Sequence, residues 1–172
     1  EDNESISASM LGATGMVLYF TTDENKLALK TKDSPAPMVI QNFSRQILSD
    51  LVKDPADRTT FYPQKNCTGT DIFQHSKGFA FVIISLKMTS RDFYQAIMRM
   101  RELLQDQRVI VVVPQHVADI ISSRRIIKSQ DGIALQEILE FLESNQKEVN
   151  EALNSMTLNH IINSIARKTI FD

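Results

Sequence analysis

Two dense apolar runs carry the plainest pattern in this chain: Gly78-Phe79-Ala80-Phe81-Val82-Ile83-Ile84-Ser85-Leu86 and Arg108-Val109-Ile110-Val111-Val112-Val113. Neither alternates with polar residues, so each predicts a strand covered on both faces, as in a parallel or mixed sheet. The segment between them is about one helix long, the crossover that a parallel pair requires. Upstream, Met16-Val17-Leu18-Tyr19-Phe20-Thr21 predicts a strand, Asp23-Glu24-Asn25 a turn, and Leu27-Ala28-Leu29-Lys30-Thr31 a returning strand; together they predict a hairpin. The expected fold is α/β, a small mixed sheet of about four strands with a helical C-terminal layer. The hairpin supplies two of those strands, and residues 78–87 and 108–113 the others.

Helical spacing fills most of the rest. Apolar residues at 39, 40, 43, 47, 48, 51 and 52 predict a helix within 38–52, after the break made by Pro35 and Pro37. Thr89-Ser90-Arg91-Asp92 offers N-cap residues for a helix running to about Gln107, whose buried stripe is Phe93, Ile97, Met100 and Leu104. Pro114 suits the start of a further helix, with Val117, Ile120 and Ile121 inward. Asp131-Gly132 interrupts, and from Ile133 the chain predicts helix to about Lys168, with a break near Ser155–Thr157. Residues 54–70 lack periodicity and predict a long loop, mobile or functional. The organisation expected is therefore a flexible N-terminal segment (1–15), an α/β core (16–130) and a C-terminal helical segment (131–172) packed on it.

Charge and cysteine usage narrow the classes. The 172 residues have a formal net charge of −2, which gives the whole chain no general pull toward nucleic acid or anionic lipid. Residues 91–130 carry seven Lys/Arg against four Asp/Glu, and residues 131–172 three against seven; the simplest account is two solvated surfaces that complement each other. Cys67 is the only cysteine, which excludes an intrachain disulfide and a multi-cysteine metal site, and fits a reducing, cytoplasmic compartment. The sequence begins at Glu1 rather than Met, the mark of a processed or excised piece. Residues 5–22 carry no charge, but their strongly apolar part is only Met16–Phe20, so no transmembrane segment is expected.

Candidate chemistry is sparse. Gly12-Ala13-Thr14-Gly15 matches part of a dinucleotide-binding loop, but that loop needs a strand before it and a helix after it, and here a strand follows. His75, His116 and His160 have no metal-ligand spacing, and neither metal nor cofactor is expected. His116 lies just past a predicted strand, with Asp119 three residues on, a pair that could serve acid–base chemistry if a nucleophile joined it; the simpler expectation is two solvent-facing first-turn residues. Cys67 is expected as a small, partly buried thiol. Gly78-Phe79-Ala80-Phe81-Val82, preceded by Lys77, resembles the aromatic strand of an RNA-recognition motif, with Phe79 and Phe81 on one face. The second aromatic strand of such a domain is not in the right order and a second glycine is absent. The expectation is two core phenylalanines.

The C-terminal segment holds the most distinctive pattern. Leu135, Ile138, Leu142, Asn145, Val149, Ala152 and Met156 recur at 3–4 spacing, widened by Leu139, Phe141 and Leu153. A broad stripe packs against its own domain, and a lone Asn within a seam can fix register. Farther on, Leu158, Ile161, Ile162, Ile165, Ile170 and Phe171 make a second apolar surface, more than a four-strand sheet covers, and so one that calls for a partner. The leading expectation is a non-enzymatic protein–protein interaction or assembly module. It would dock a protein partner or a second copy through Leu153, Met156, Leu158, Ile161, Ile162 and Ile165. One alternative is a nucleic-acid-binding module using Arg99, Arg101, Arg124, Arg125 and Lys128, although Arg124, Arg125 and Lys128 are more simply cations gathered at a helix C-terminus. The other is a small enzyme with a site near His116 and Asp119 beneath the 54–70 loop.

Overall fold

A computed structural model describes residues 15–21, 26–34, 36–41, 43–124 and 132–171, with side chains of the last helix described to residue 161. The chain divides into two compact units, Glu1–Val82 with Gln95–Ile110, and Ile83–Tyr94 with Val111–Asp172.

The first unit is built around the predicted hairpin. Strand β1 (Met16–Phe20) pairs antiparallel with β2 (Leu27–Thr31), setting Leu18 opposite Leu29 and Tyr19 opposite Ala28. Two further strands make this a mixed four-stranded sheet in the order β3-β2-β1-β4. They are β3 (Met38–Ile40), antiparallel to β2, and β4 (Arg58–Thr60), parallel to β1. β1 is thus central, and both of its faces are apolar. Leu18 and Phe20 join Leu27, Leu29, Ile40, Leu48, Val52 and Ile72 in the main core, while Val17, Tyr19 and Ala28 form a smaller cluster with Phe61. At about 1.5–3 kcal/mol for each fully buried large apolar side chain, these clusters are the chief source of this unit's stability.

The α/β class and the mixed four-strand sheet agree with the sequence pattern, but two of the four strands are not those expected. The 38–52 pattern splits into β3 and a short helix, α1 (Arg45–Leu51). Ser44 starts that helix, its hydroxyl accepting from Ile47 N at 3.2 Å. The 54–70 region is not slack either. Asp54 caps a 3-10 turn at Pro55–Asp57, β4 follows, and Gln64–Asn66 makes a second turn. Three-residue strands are too short to show a period, so sequence spacing passes over them.

The runs at 78–86 and 108–113 form a separate two-stranded sheet, β5 (Phe79–Ile83) with β6 (Arg108–Val112). The bonds Arg108 N→Gly78 O and Ile84 N→Val112 O fit one parallel register, setting Phe79 beside Arg108 and Phe81 beside Ile110. The expectation of cover on both faces fails here. Val82 and Ile84 are buried, but the alternate residues Phe79, Phe81 and Ile83 are exposed. No polar residue marks the open face, and apolar character alone does not establish burial.

Between these strands runs α2 (Ser90–Ile97). Thr89 and Asp92 close its start reciprocally: Thr89 N and Oγ1 donate to Asp92 Oδ2 at 3.0 and 2.7 Å, and Asp92 N donates to Thr89 Oγ1 at 3.2 Å. The helix stops ten residues before Gln107, the end predicted for it. Beyond Ile97 the backbone tightens into turns closed by Met100 N→Ile97 O and Leu103 N→Met100 O. That turns Leu104, expected inside, fully to solvent, while Phe93 and Met100 stay buried.

In the second unit α3 (Gln115–Ser123) follows Pro114 and buries Val117 and Ile121, with Ile120 half-buried. Helix α4 (Leu135–Phe171) runs 37 residues without the expected break, about 55 Å at 1.5 Å per residue. It packs against α3 and buries Ile138, Phe141, Leu142 and Asn145. Among the described residues no helix is long and apolar enough to cross a membrane.

Candidate functional site

The outer half of α4 is uncovered along its described length. Every residue from 147 to 161 is exposed. At about 100° per residue, Ile138, Leu142, Asn145, Val149, Leu153 and Met156 fall on one helix face. Its first three members are buried, and the same stripe then continues into solvent, with Leu153 56% and Met156 69% exposed. Leu158 and Ile161, also exposed, fall on the opposite side, so this half of the helix carries apolar residues on two faces. Of the six residues expected to dock a partner, Leu153, Met156, Leu158 and Ile161 are thus accessible; the side chains of Ile162 and Ile165 lie outside the described residues.

The basic residues do not form one surface. Within the first unit, Arg99 and Arg101 turn toward the segment after β4. Arg99 donates to Thr70 O and lies 3.9 Å from Asp71 Oδ1, which Arg101 grips through Nε and Nη2 at 3.2 and 3.1 Å. Arg58, Tyr62 and Gln107 fasten the same segment. Arg58 donates to Phe73 O, Tyr62 Oη accepts from Ile72 N at 3.1 Å, and Gln107 Nε2 donates to His75 O at 2.9 Å. Burial lowers the Arg58 guanidinium below its usual pKa, partly offset by Tyr62. Burial also raises the Tyr62 phenol to about 12. These arginines hold a long non-repetitive stretch in place through main-chain oxygens and Asp71. In the second unit, Arg124 lies over the ring of Phe141, 5.4 Å from its centroid. Arg125 and Lys128 lie outside the described residues.

His116 and Asp119 are both exposed near the start of α3, and the Asp119 carboxylate accepts from Gln115 Nε2 at 2.8 Å. This is the solvent-facing arrangement expected of first-turn residues. Cys67 is buried, its thiol 3.6 Å from Pro63 O. Among the described residues no group of three or more His, Cys, Asp or Glu could hold a metal ion. A shallow recess of the first unit is lined by Phe43, Arg45, Leu48, Val52, Arg58 and Phe73, and Arg45 covers the ring of Phe73 at 4.8 Å.

The surface that sequence reasoning missed is on β5. Phe79 and Phe81, expected in the core, are 63% and 60% exposed, and their rings meet edge to face with centroids 5.5 Å apart. The order basic–Gly–aromatic–small–aromatic at 77–81 is a sequence sign of such a face, set aside because the second aromatic strand is out of order and a second glycine is absent. No protein-family model matches the chain, and neither does any curated protein or solved structure.

Proposed function

We propose that this chain is a non-enzymatic protein–protein interaction or assembly module, docking a protein partner or a second copy through the outer half of α4. One observation carries the reading: the stripe that buries Ile138, Leu142 and Asn145 continues as Val149, Leu153 and Met156, all exposed. An isolated helix of this composition gains little from propensity and depends on packing for its persistence. Contiguous exposed apolar residues are the mark of an interaction site. The two arginines of the basic cluster that lie in the first unit are already engaged with Thr70 and Asp71, and His116 and Asp119 stand exposed, so neither alternative gains comparable support.

Native mass spectrometry of the chain purified gently from its source, beside Leu153→Glu and Met156→Glu variants, tests the proposal. A defined complex that both variants lose, while thermal melts stay unchanged, is the expected result. Association that survives both substitutions, or a bare monomer throughout, would count against it.

A further inference from the structure

Phe79 and Phe81 expose most of their rings from one strand, an arrangement that folding alone does not reward. The charges at this end of the strand pair are largely cationic. Lys77 is exposed just before β5, and Arg108, exposed on β6, sits beside Phe79 in the parallel register. Ile110 beside Phe81 extends the apolar floor, and Asp106, also exposed, stands two positions before Arg108 in the turn that leads into β6. Gly78 has its own structural reason, since a Cβ there would stand 3.0 Å from His75 O. The aromatic pair has none.

A face of this kind has a specific chemical complement. Unpaired nucleobases are flat, present a π-face whatever their identity, and stack on exposed aromatic rings, while their phosphates seek cations at the rim. Lys77-Gly78-Phe79-Ala80-Phe81-Val82 follows the residue order that RNA-binding sheets use for this purpose, although here the strand belongs to a two-stranded parallel pair. We infer that the open face formed by Phe79, Phe81 and Ile110, rimmed by Lys77 and Arg108, is a base-stacking surface for single-stranded nucleic acid. It is independent of the helix α4 surface, and either can fail without the other.

The test is fluorescence anisotropy of a labelled oligouridylate and its deoxy counterpart, titrated with the full chain at about 50 and 200 mM salt. Saturable, salt-sensitive binding is expected. Its log–log slope should be near −1.4 for two phosphate contacts, and Lys77→Gln or Arg108→Gln should each remove about 0.7 of it. Phe79→Ala and Phe81→Ala should each weaken binding about tenfold. A Phe79→Leu/Phe81→Leu double variant keeps an apolar face without rings and should bind no better than the alanine variants. Leu153→Glu should leave binding unchanged. The inference is overturned by no anisotropy change at the lower salt, by binding that persists in the double alanine variant, or by wild-type binding in the leucine variant. A protein that copurifies with the leucine variant as well as with the wild type, and is lost on Phe79→Ser, would overturn it too, by identifying a protein-docking face.

Discussion

The side-chain amide of Asn145 lies 2.9 Å from the main-chain oxygen of Met88, and the same nitrogen donates to Leu86 O at 3.0 Å. The polar member of the α4 stripe therefore fixes this helix against its own unit, where the sequence also allowed it to set register with a second chain. Asn145 is 8% exposed, so its partners have little access to replacement water. Asn145→Leu keeps the helix and the bulk but strands both carbonyls, and should cost about 2 kcal/mol in urea denaturation. A loss below about 0.5 kcal/mol, the ordinary scatter of surface changes, would mean the two bonds carry little weight.

How far the sequence could be read turned on whether a position had a local alternative. β1 and β2 were legible because turn-forming residues separate two β-rich runs in the sequence, and the Thr89/Asp92 cap because its residues act on their own backbone. Met38–Ile40 and Arg58–Thr60 were not, since strands of three residues join the sheet through tertiary pairing. Phe79 and Phe81 were misplaced for another reason: apart from the residue order at 77–81, an exposed aromatic and a buried one look alike in sequence, and the presence of a covering layer separates them. The α4 stripe was legible as a stripe. Which half of it the unit itself would bury depends on where packing stops, and no residue marks that point.

Tyr62 gives the first unit an alkaline limit. Burial holds its phenol protonated to about pH 12, against an ordinary value of 10. Between those values the unfolded chain gives up the proton and the native chain keeps it, so the stability linked to this group is complete below pH 10 and lost as pH rises toward 12. Tyr62→Phe removes the linkage but also the acceptor for Ile72 N, which should cost about 1 kcal/mol at pH 8. Urea midpoints of the two proteins should therefore converge between pH 10 and 11.5. A gap that stays constant over that range would place the Tyr62 pKa near its ordinary value.

Arg99 and Arg101 reach the same segment but differ in burial, with side chains 16% and 52% exposed. Arg99→Leu leaves Thr70 O without its guanidinium donor and should destabilise by about 1–3 kcal/mol. Arg101→Gln breaks an exposed pair with Asp71 and should stay within about 1 kcal/mol. Thermal melts of both variants in low and high salt separate the two, because screening weakens the exposed Arg101–Asp71 pair more than the part-buried bond from Arg99 to Thr70 O. Equal losses would mean that the segment is held by charge rather than by hydrogen bonds to its main chain.

Helix α4 should divide into a half that folding needs and a half that it does not. Leu142 has no exposed surface, and Leu142→Ala should cost about 3–5 kcal/mol, the transfer loss plus the cavity left behind. Leu153 lies eleven residues later on the same face but is 56% exposed, so Leu153→Ala in the isolated chain should change stability by less than about 0.5 kcal/mol. Alanine is the better helix former there, which pushes the small remainder toward stabilisation. The contrast is sharpest if the chain self-associates. Binding adds stability that grows with protein concentration, so Leu153→Ala would then lower the melting temperature at high concentration and leave it unchanged when dilute. Melts across a hundredfold dilution series read this directly. A large Leu153→Ala loss that does not vary with concentration would mean that this side chain is packed within its own chain, removing the exposed stripe on which the docking proposal rests.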